Sequence, residues 1–308
     1  MSEQSEPKNH HFIPQFYQRG FIEGTDGLIW IYEKNRSPRR WTIRKTGAEI
    51  GFYGFTTSSG EFDIATVERD LGKLELKTAP LIKKLEAGSL LSDDERRLLS
   101  TFISVMWRRT PKEKEKVEKA AEKIIPESFE KIHAEIYQLV KEMAKSPEEA
   151  EILFEDKKKL LERLKENFEQ RGTDFLFAFN VLRKSIFEDV LFSMDWAFFR
   201  SSQEVEFLTC DNPVAFNQGT GLRHRDSVIM FPLSKNLFLQ AMWISKFQNN
   251  FARLSDFNLR HLNRCIVQNA YKQVYASRKS RVISSFVNRW VGNFERPFAL
   301  NSEIDSHT

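Results

Sequence analysis

Val228-Ile229-Met230-Phe231-Pro232-Leu233-Ser234-Lys235-Asn236-Leu237-Phe238-Leu239 decides the fold class of this chain. Val228–Phe231 and Leu237–Leu239 are short apolar runs rich in branched and aromatic side chains, and they read as strands. Upstream, Trp196-Ala197-Phe198-Phe199 and Val205-Glu206-Phe207-Leu208-Thr209 give the same reading. Downstream come a helix from about Ser255 to Ala270, a strand at Gln273-Val274-Tyr275-Ala276, and a last helix from about Arg278 to Val291. Near the start, Leu28-Ile29-Trp30-Ile31-Tyr32-Glu33 follows the turn signal Gly24-Thr25-Asp26-Gly27. It is expected to form a hairpin with Trp41-Thr42-Ile43, across the turn Ser37-Pro38-Arg39-Arg40.

Helix fills the middle. Residues Phe62 to about Ala87 carry apolar side chains at helical spacing, after an ordered loop over 46–60. Ser92-Asp93-Asp94-Glu95 is a capping box, and Leu98, Leu99, Phe102, Ile103 and Met106 form one stripe behind it. That helix runs into Trp107-Arg108-Arg109-Thr110-Pro111, where proline ends or kinks it. Residues 112–171 are mostly Lys, Glu, Ala and Leu-type, with a second box at Ser146-Pro147-Glu148-Glu149. They read as an exposed helical arm. Gly172-Thr173-Asp174 starts a further helix, with Phe175, Phe179, Leu182, Ile186 and Val190 on one side. The expected class is therefore α+β: one domain over 1–308, a mixed sheet packed by helices, and a charged arm at about 112–171.

Composition narrows the function classes. The chain has 308 residues, 41% hydrophobic and 29% charged, with 27 Phe that belong mainly in a core. A net charge of +4 is too mild to argue nucleic-acid binding by itself. No run approaches the roughly 18 apolar residues of a membrane span. The start, Met1 to Glu6, lacks a basic-then-apolar leader. With two isolated cysteines, Cys210 and Cys265, a cytoplasmic protein with reduced thiols is expected, and their pairing is left open. No phosphate-binding glycine loop, dinucleotide fingerprint or G-x-S-x-G elbow occurs, so no nucleotide cofactor is expected.

Four constellations carry candidate chemistry. His10 and His11 lie in Lys8-Asn9-His10-His11-Phe12-Ile13-Pro14-Gln15-Phe16-Tyr17-Gln18-Arg19-Gly20-Phe21, and imidazole both titrates near neutrality and binds metals. In extended chain the two rings point to opposite faces, so one can face a site while the other packs. The alternative is a pair of surface imidazoles. Thr209-Cys210-Asp211-Asn212-Pro213-Val214 ends a strand in a turn. Asp211 and Asn212 there are either ligand groups or an Asx-turn. Arg109 at a helix end either answers the dipole or holds an anion. From Phe257 to Phe294 there are seven Lys or Arg and no Asp or Glu, interleaved with Tyr271, Tyr275, Phe286, Trp290 and Phe294. Arg264, Lys272, Arg278, Lys279 and Arg281 are the nucleic-acid candidates of that stretch. A solvated basic face is the other reading.

The chain resembles a bacterial family of unknown function, number 4238. The resemblance rests on His10-His11-Phe12-Ile13-Pro14-Gln15-Phe16-Tyr17 with Arg19 and Phe21, on Arg109-Thr110-Pro111, on Thr209-Cys210-Asp211-Asn212-Pro213-Val214 and on Pro232-Leu233-Ser234. The chain departs from the family pattern at Cys210, where Ser is usual, and at Gln18, where Leu is usual. The resemblance implies that these motifs lie together, and it supplies no reaction.

These readings predict that His10, His11, Arg109, Asp211 and Asn212 converge. The expected function is a metal-assisted hydrolase of phosphodiesters, a nuclease. A divalent ion would sit on His10, His11 and Asp211, and Arg109 would face developing charge. Glu49, Glu61 and Glu68 are reserve carboxylates. The alternative is a non-catalytic nucleic-acid-binding or interaction protein that uses the basic C-terminal region. No membrane partner is expected, and the oligomeric state is open.

Overall fold

The computed structural model describes residues 9–216, 221–245 and 250–293. The reading of 1–8 as a disordered start, and Phe294 in the basic stretch, lie outside the described residues. The chain order begins β1 (Asn9–His11), α1 (Gln15–Gln18), β2 (Leu28–Glu33), β3 (Arg39–Thr42), β4 (Ala48–Ile50), β5 (Phe55–Thr56) and β6 (Phe62–Asp63). The helical middle is α2 (Thr66–Glu86), α3 (Asp93–Arg108), α4 (Pro111–Met143), α5 (Pro147–Leu182) and α6 (Ile186–Ser193). The remainder is β7 (Asp195–Arg200), β8 (Thr209–Cys210), β9 (Ala215–Phe216), β10 (Val228–Ser234), β11 (Leu237–Met242), β12 (Asn250–Ala252), α7 (Asp256–Asn269), β13 (Gln273–Ala276) and α8 (Arg281–Trp290).

The class is α+β, with mixed sheets packed against helices. The strands divide between two main sheets, however, where one was expected. The first has the order β12-β7-β11-β10-β9, antiparallel except for β12 against β7. The second is antiparallel, β3-β2-β13-β8. The N-terminal hairpin therefore shares its sheet with two of the strands after Trp196, β13 and β8, and not with β7, β10 and β11. The first sheet is buried on both faces. Trp196 and Phe198 of β7 enter one apolar cluster with α2, α3 and α6, while Ala197 and Phe199 enter another with α7, α8 and the second sheet. That explains continuous apolar runs in place of strict alternation.

Four local readings change. The first is at Phe62–Asp63, which is the strand β6 and not the start of the helix. The Asp63 carboxylate takes the Ala65 and Thr66 amides, and α2 begins only at Thr66. Residues 46–60, expected as loop, contain β4 and β5. Val205–Leu208 is not strand, because its amides leave the ladders: Phe207 N–H donates to Lys235 O and Leu208 N–H to Asn263 Oδ1. The helix expected to run from 173 to 190 breaks at Arg183, and α6 restarts under a capping box of Ser185 and Glu188. The break at Gly172 is present as a positive φ of 65°, which bends the chain inside α5.

α4 and α5 form a long helical hairpin over the region read as the arm. Thr110 caps α4 and Ser146 caps α5, each with proline at the first helical position. Among the described residues, no helix is long and apolar enough to cross a membrane. Cys210 and Cys265 are buried and not joined by a disulfide.

Candidate functional site

The N-terminal motif is pulled into the core by its aromatic residues. Tyr17 is fully buried. Its hydroxyl donates to Pro232 O at 2.7 Å and lies 2.8 Å from Thr209 Oγ1, so one phenol ties α1 to both main sheets. Gly20 lets the chain pass close to β10: a Cβ there would lie 3.0 Å from the Ser234 Cβ. The stretches at 17, 209 and 232 are thus brought together by packing and hydrogen bonding.

β1 pairs with β4 in antiparallel register, His10 opposite Glu49 and His11 opposite Ala48. Both histidines are buried. His10 stacks on Tyr53, and its Nδ1 accepts the Tyr53 backbone N–H at 3.0 Å. A neutral His10 therefore carries its proton on Nε2. His11 Nε2 lies 3.2 Å from Arg44 O, which fixes the proton there as well. Burial lowers the His11 pKa, against the pull of the Ile43 and Arg44 backbone.

Arg109, just past the end of α3, completes this buried network. Nη1 donates to Glu75 Oε1 at 2.8 Å and Nε to the Tyr53 hydroxyl at 3.1 Å, while Nη2 donates to His11 O. Burial alone would lower its pKa. The surrounding Tyr53, Glu75 and Glu68 reverse that and raise it. Glu68 accepts the His11 backbone N–H at 3.5 Å, and burial raises its pKa. Tyr53, Glu75 and the clamped His11 carbonyl were not marked by the sequence reading. A Tyr two residues before the short strand Phe55–Thr56 and a Glu inside an amphipathic helix carry no local signal of a shared partner.

Asp211 and Asn212 follow β8. The Asp211 carboxylate accepts three backbone amides, Tyr271 at 2.7 Å and Lys272 and Gln273 at 2.8 Å each. Burial pushes its pKa up to about 6, with those three amides pulling the other way. Asn212 exchanges bonds with Asn269 at the end of α7: Asn212 Nδ2 donates to Asn269 O at 3.0 Å, and Asn269 Nδ2 donates to Asn212 O at 2.6 Å. Thr110 Oγ1 meets Asn212 Oδ1 at 3.4 Å. The fold thus links His11 directly to Arg109, and Arg109 through its neighbour Thr110 to Asn212.

The metal set does not assemble as expected. Among the described residues, no three His, Cys, Asp or Glu side chains group as an ion site. The physical reason is engagement: His10 Nδ1, His11 Nε2 and both Asp211 oxygens already hold backbone groups. Of the reserve carboxylates, Glu68 belongs to the buried network, Glu61 is exposed near β6, and Glu49 lines an open cleft.

That cleft, of about 560 Å³, is where the motif regions reach solvent. Phe12, Pro111 and Asp211 border it. So do Arg39, Trp41 and Lys45 from the β2–β3 hairpin and the loop after it, Glu49 from β4, Tyr271 and Lys272 before β13, and Gln273 at its start. Trp41 is 48% exposed. Lys272 Nζ lies 4.7 Å from the Tyr271 ring centre, a cation–π contact, and Arg39 pairs with Glu33 at 2.9 Å. Gly47, at φ 62°, shapes the rim, and a Cβ there would meet the Ile13 Cβ at 2.7 Å. Arg39, Trp41 and Lys45 were read only as turn and strand.

The other nucleic-acid candidates lie elsewhere. Arg264 packs over the Trp290 ring at 3.8 Å. Arg278 faces Glu206 at 3.8 Å and donates to Glu204 O. Lys279 sits 5.6 Å from the Trp30 ring, and Arg281 is exposed at the start of α8. β13 separates Lys272 from Arg278, roughly 20 Å along an extended chain. The stretch is therefore not one basic patch.

No curated protein and no solved structure matches the chain. A family model described as a protein of unknown function, DUF4238, matches residues 9–280 and so takes in the histidine pair, the Arg109 segment, the Asp211 turn and β13. With a match over most of its length, this chain belongs to the DUF4238 family.

Proposed function

We propose that the protein binds single-stranded nucleic acid in the cleft between the β2–β3 hairpin and the turn before β13. The observation that carries the reading is the lining itself: Lys45 and Lys272 beside the Trp41 and Tyr271 rings in one open cleft, with Arg39, already paired with Glu33, also on the lining. Cations answer phosphates and exposed rings stack on bases, a combination that tolerates any sequence. The volume suits one or two nucleotides, since ligand sites commonly measure roughly 300–1,000 Å³. Asp211 detracts little, because its charge is spent on three amides. In this reading His10, His11, Arg109 and Asn212 hold the cleft walls and do not touch the strand.

Hydrolysis of the bound strand by a metal-assisted route is the second reading, and Glu49 on the cleft lining favours it. One titration tests both. Fluorescence anisotropy of a labelled oligonucleotide should show an affinity that falls with salt, with a slope of about −0.7 per neutralised phosphate on a single strand. Gel analysis of the same mixture with manganese then reads cleavage. Binding without cleavage supports the first reading, and chelator-sensitive cleavage supports the second. An absence of salt-dependent binding overturns both.

A further inference from the structure

One carboxylate stands in the cleft with nothing to hold. The lining carries two acids, Asp211 and Glu49. Asp211 is occupied by three backbone amides. Glu49 is exposed, and among the described residues it makes no ion pair and no side-chain hydrogen bond. Its place is fixed by the backbone, opposite His10 in the β1–β4 pairing. β3 and β4 are joined by a turn closed on Thr42 O, which accepts the Lys45 N–H at 3.0 Å and the Thr46 N–H at 3.1 Å. The buried Gln18 pins that turn, its Nε2 donating to Thr46 O at 2.8 Å and to Ile13 O at 2.7 Å. One short, tethered stretch therefore presents a ring at Trp41, a cation at Lys45 and an acceptor at Glu49 to the same cleft.

These groups discriminate unequally. Cations take any phosphate and rings stack on any base, so neither tells one nucleotide from another. A carboxylate in a phosphate-binding cleft does the opposite. It repels the backbone of every strand, and that cost is offset only by a base that brings donors to it. A carboxylate accepts through two oxygens and donates nothing. On its Watson–Crick edge guanine places two adjacent donors, N1–H and the N2 amino group, where those two oxygens can take them in parallel. Adenine and cytosine each set one amino group beside an acceptor nitrogen, and thymine or uracil sets one N–H between two carbonyls. Only guanine meets a carboxylate with two parallel bonds, and bidentate pairing is what makes such a contact specific.

We propose that Glu49 makes the cleft selective for guanine, its two carboxylate oxygens accepting N1–H and N2–H of a base on a single strand. The proposal rests on the binding reading above and adds the base that the cleft prefers. Trp41 and Tyr271 supply stacking, Lys45 and Lys272 hold phosphate, and Glu49 reads the base edge.

Fluorescence anisotropy without added metal tests this, using short labelled strands that are thymine throughout except for one central base. The parent should bind the guanine strand about five- to a hundredfold more tightly than strands with adenine, cytosine or hypoxanthine, the range for a bidentate base contact. Hypoxanthine is guanine without the N2 amino group, so that comparison removes one donor and alters no protein residue. Glu49→Gln keeps the size of the side chain but replaces one acceptor with a donor. It should bring the guanine and hypoxanthine affinities to within about twofold of each other. It should also bind the adenine strand more tightly than the parent does, because the charge opposing phosphate is gone. A parent that binds the guanine and hypoxanthine strands within about twofold, with its salt dependence intact, overturns the guanine assignment and leaves the binding reading standing. A preference that persists unchanged in Glu49→Gln places base recognition on another residue and overturns the proposal. A parent that binds none of the strands overturns the proposal and the binding reading together.

Discussion

The buried network around Arg109 and the open cleft around Lys272 are built from the same stretches of chain but have opposite physics. In the first, every charged or ring group named above faces a protein donor or acceptor: His10 takes an amide, His11 a carbonyl, and Arg109 three separate oxygens. In the second, Lys45, Lys272, Trp41 and Glu49 face solvent across a concave surface. The two share a wall. β1 carries the histidines inward, while its partner β4 presents Ala48 and Glu49 to the cleft. A polar motif therefore holds an edge from one remove, and in the proposed reading it is the unremarkable residues on that edge that meet the ligand. Buried polar networks that are fully paired specify position, and a ligand needs groups that are not yet paired.

The widest gap between the two regions should appear on removing Arg109. Arg109→Ala leaves the half-buried Glu75 and Glu68 and the buried His11 carbonyl without their cation. Breaking a buried pair from one side costs about 3–5 kcal/mol. Urea unfolding should show a loss of that size, with β1 and the cleft lost together. A loss below about 1 kcal/mol would mean that water already serves these groups and that the network is no anchor.

Asp211 lies on the boundary, holding the turn that presents Tyr271 and Lys272, and its contribution can be read from pH. Its pKa in the fold is about 6, above the ordinary 3.8, so the native state holds the proton more tightly than the unfolded chain. The stabilisation from this group is fully present below 3.8 and is lost as pH rises through 6, a span worth about 3 kcal/mol. His11 tilts the profile the other way: its pKa is lowered, so its contribution is present at higher pH and is lost as pH falls below 6.5. The difference between parent and Asp211→Asn isolates the first effect. Parent stability relative to the variant should fall between pH 4 and pH 7. A difference that stays flat or rises would mean that the three amides dominate and the carboxylate is stabilised by its clamp.

Much of this frame was legible in the sequence. The capping box at Ser92, the N-cap at Ser146 (where Glu149 reaches back to the Lys145 amide, one residue short of a full box), the bend at Gly172 and the strands around Val228 and Leu237 carry local signals, because caps and periodicity act within a few residues. Sheet membership was not legible: pairing of β2 with β13 joins residues some 240 positions apart, and nothing local encodes it. The same limit governs the candidate site. The polarity of His10, His11 and Asp211 was plain, but whether a ring nitrogen or a carboxylate oxygen remains available depends on backbone groups at 44, 53 and 271–273. Trp41 was read as a strand residue because its exposure follows from its place on an edge strand, which topology alone decides.

Trp41 sharpens the contrast from the cleft side. It is half exposed on β3, so Trp41→Ala should leave the melting temperature within a degree or two. It should nevertheless weaken oligonucleotide binding by about 1–3 kcal/mol, the range for loss of one stacking ring. Equal losses in stability and binding would make Trp41 a packing residue and move the ligand elsewhere.

The smallest effect is expected where basic residues are densest. Arg278, Lys279 and Arg281 look in sequence like a phosphate-binding run, yet Arg278 faces Glu206 and Lys279 leans on Trp30, at the far end of β13 from the cleft. A cation already beside a carboxylate releases few counterions when a phosphate arrives, so it adds little to the salt dependence. Replacing all three by Ala should change the slope of log affinity against log salt by less than one phosphate contact. Replacing only Lys45 and Lys272 should flatten it by about two contacts, or roughly 1.4 on a single strand. The reverse ordering would take the binding surface out of the cleft and give it to the C-terminal basic stretch. The network around Arg109 would then have no ligand-facing edge to hold.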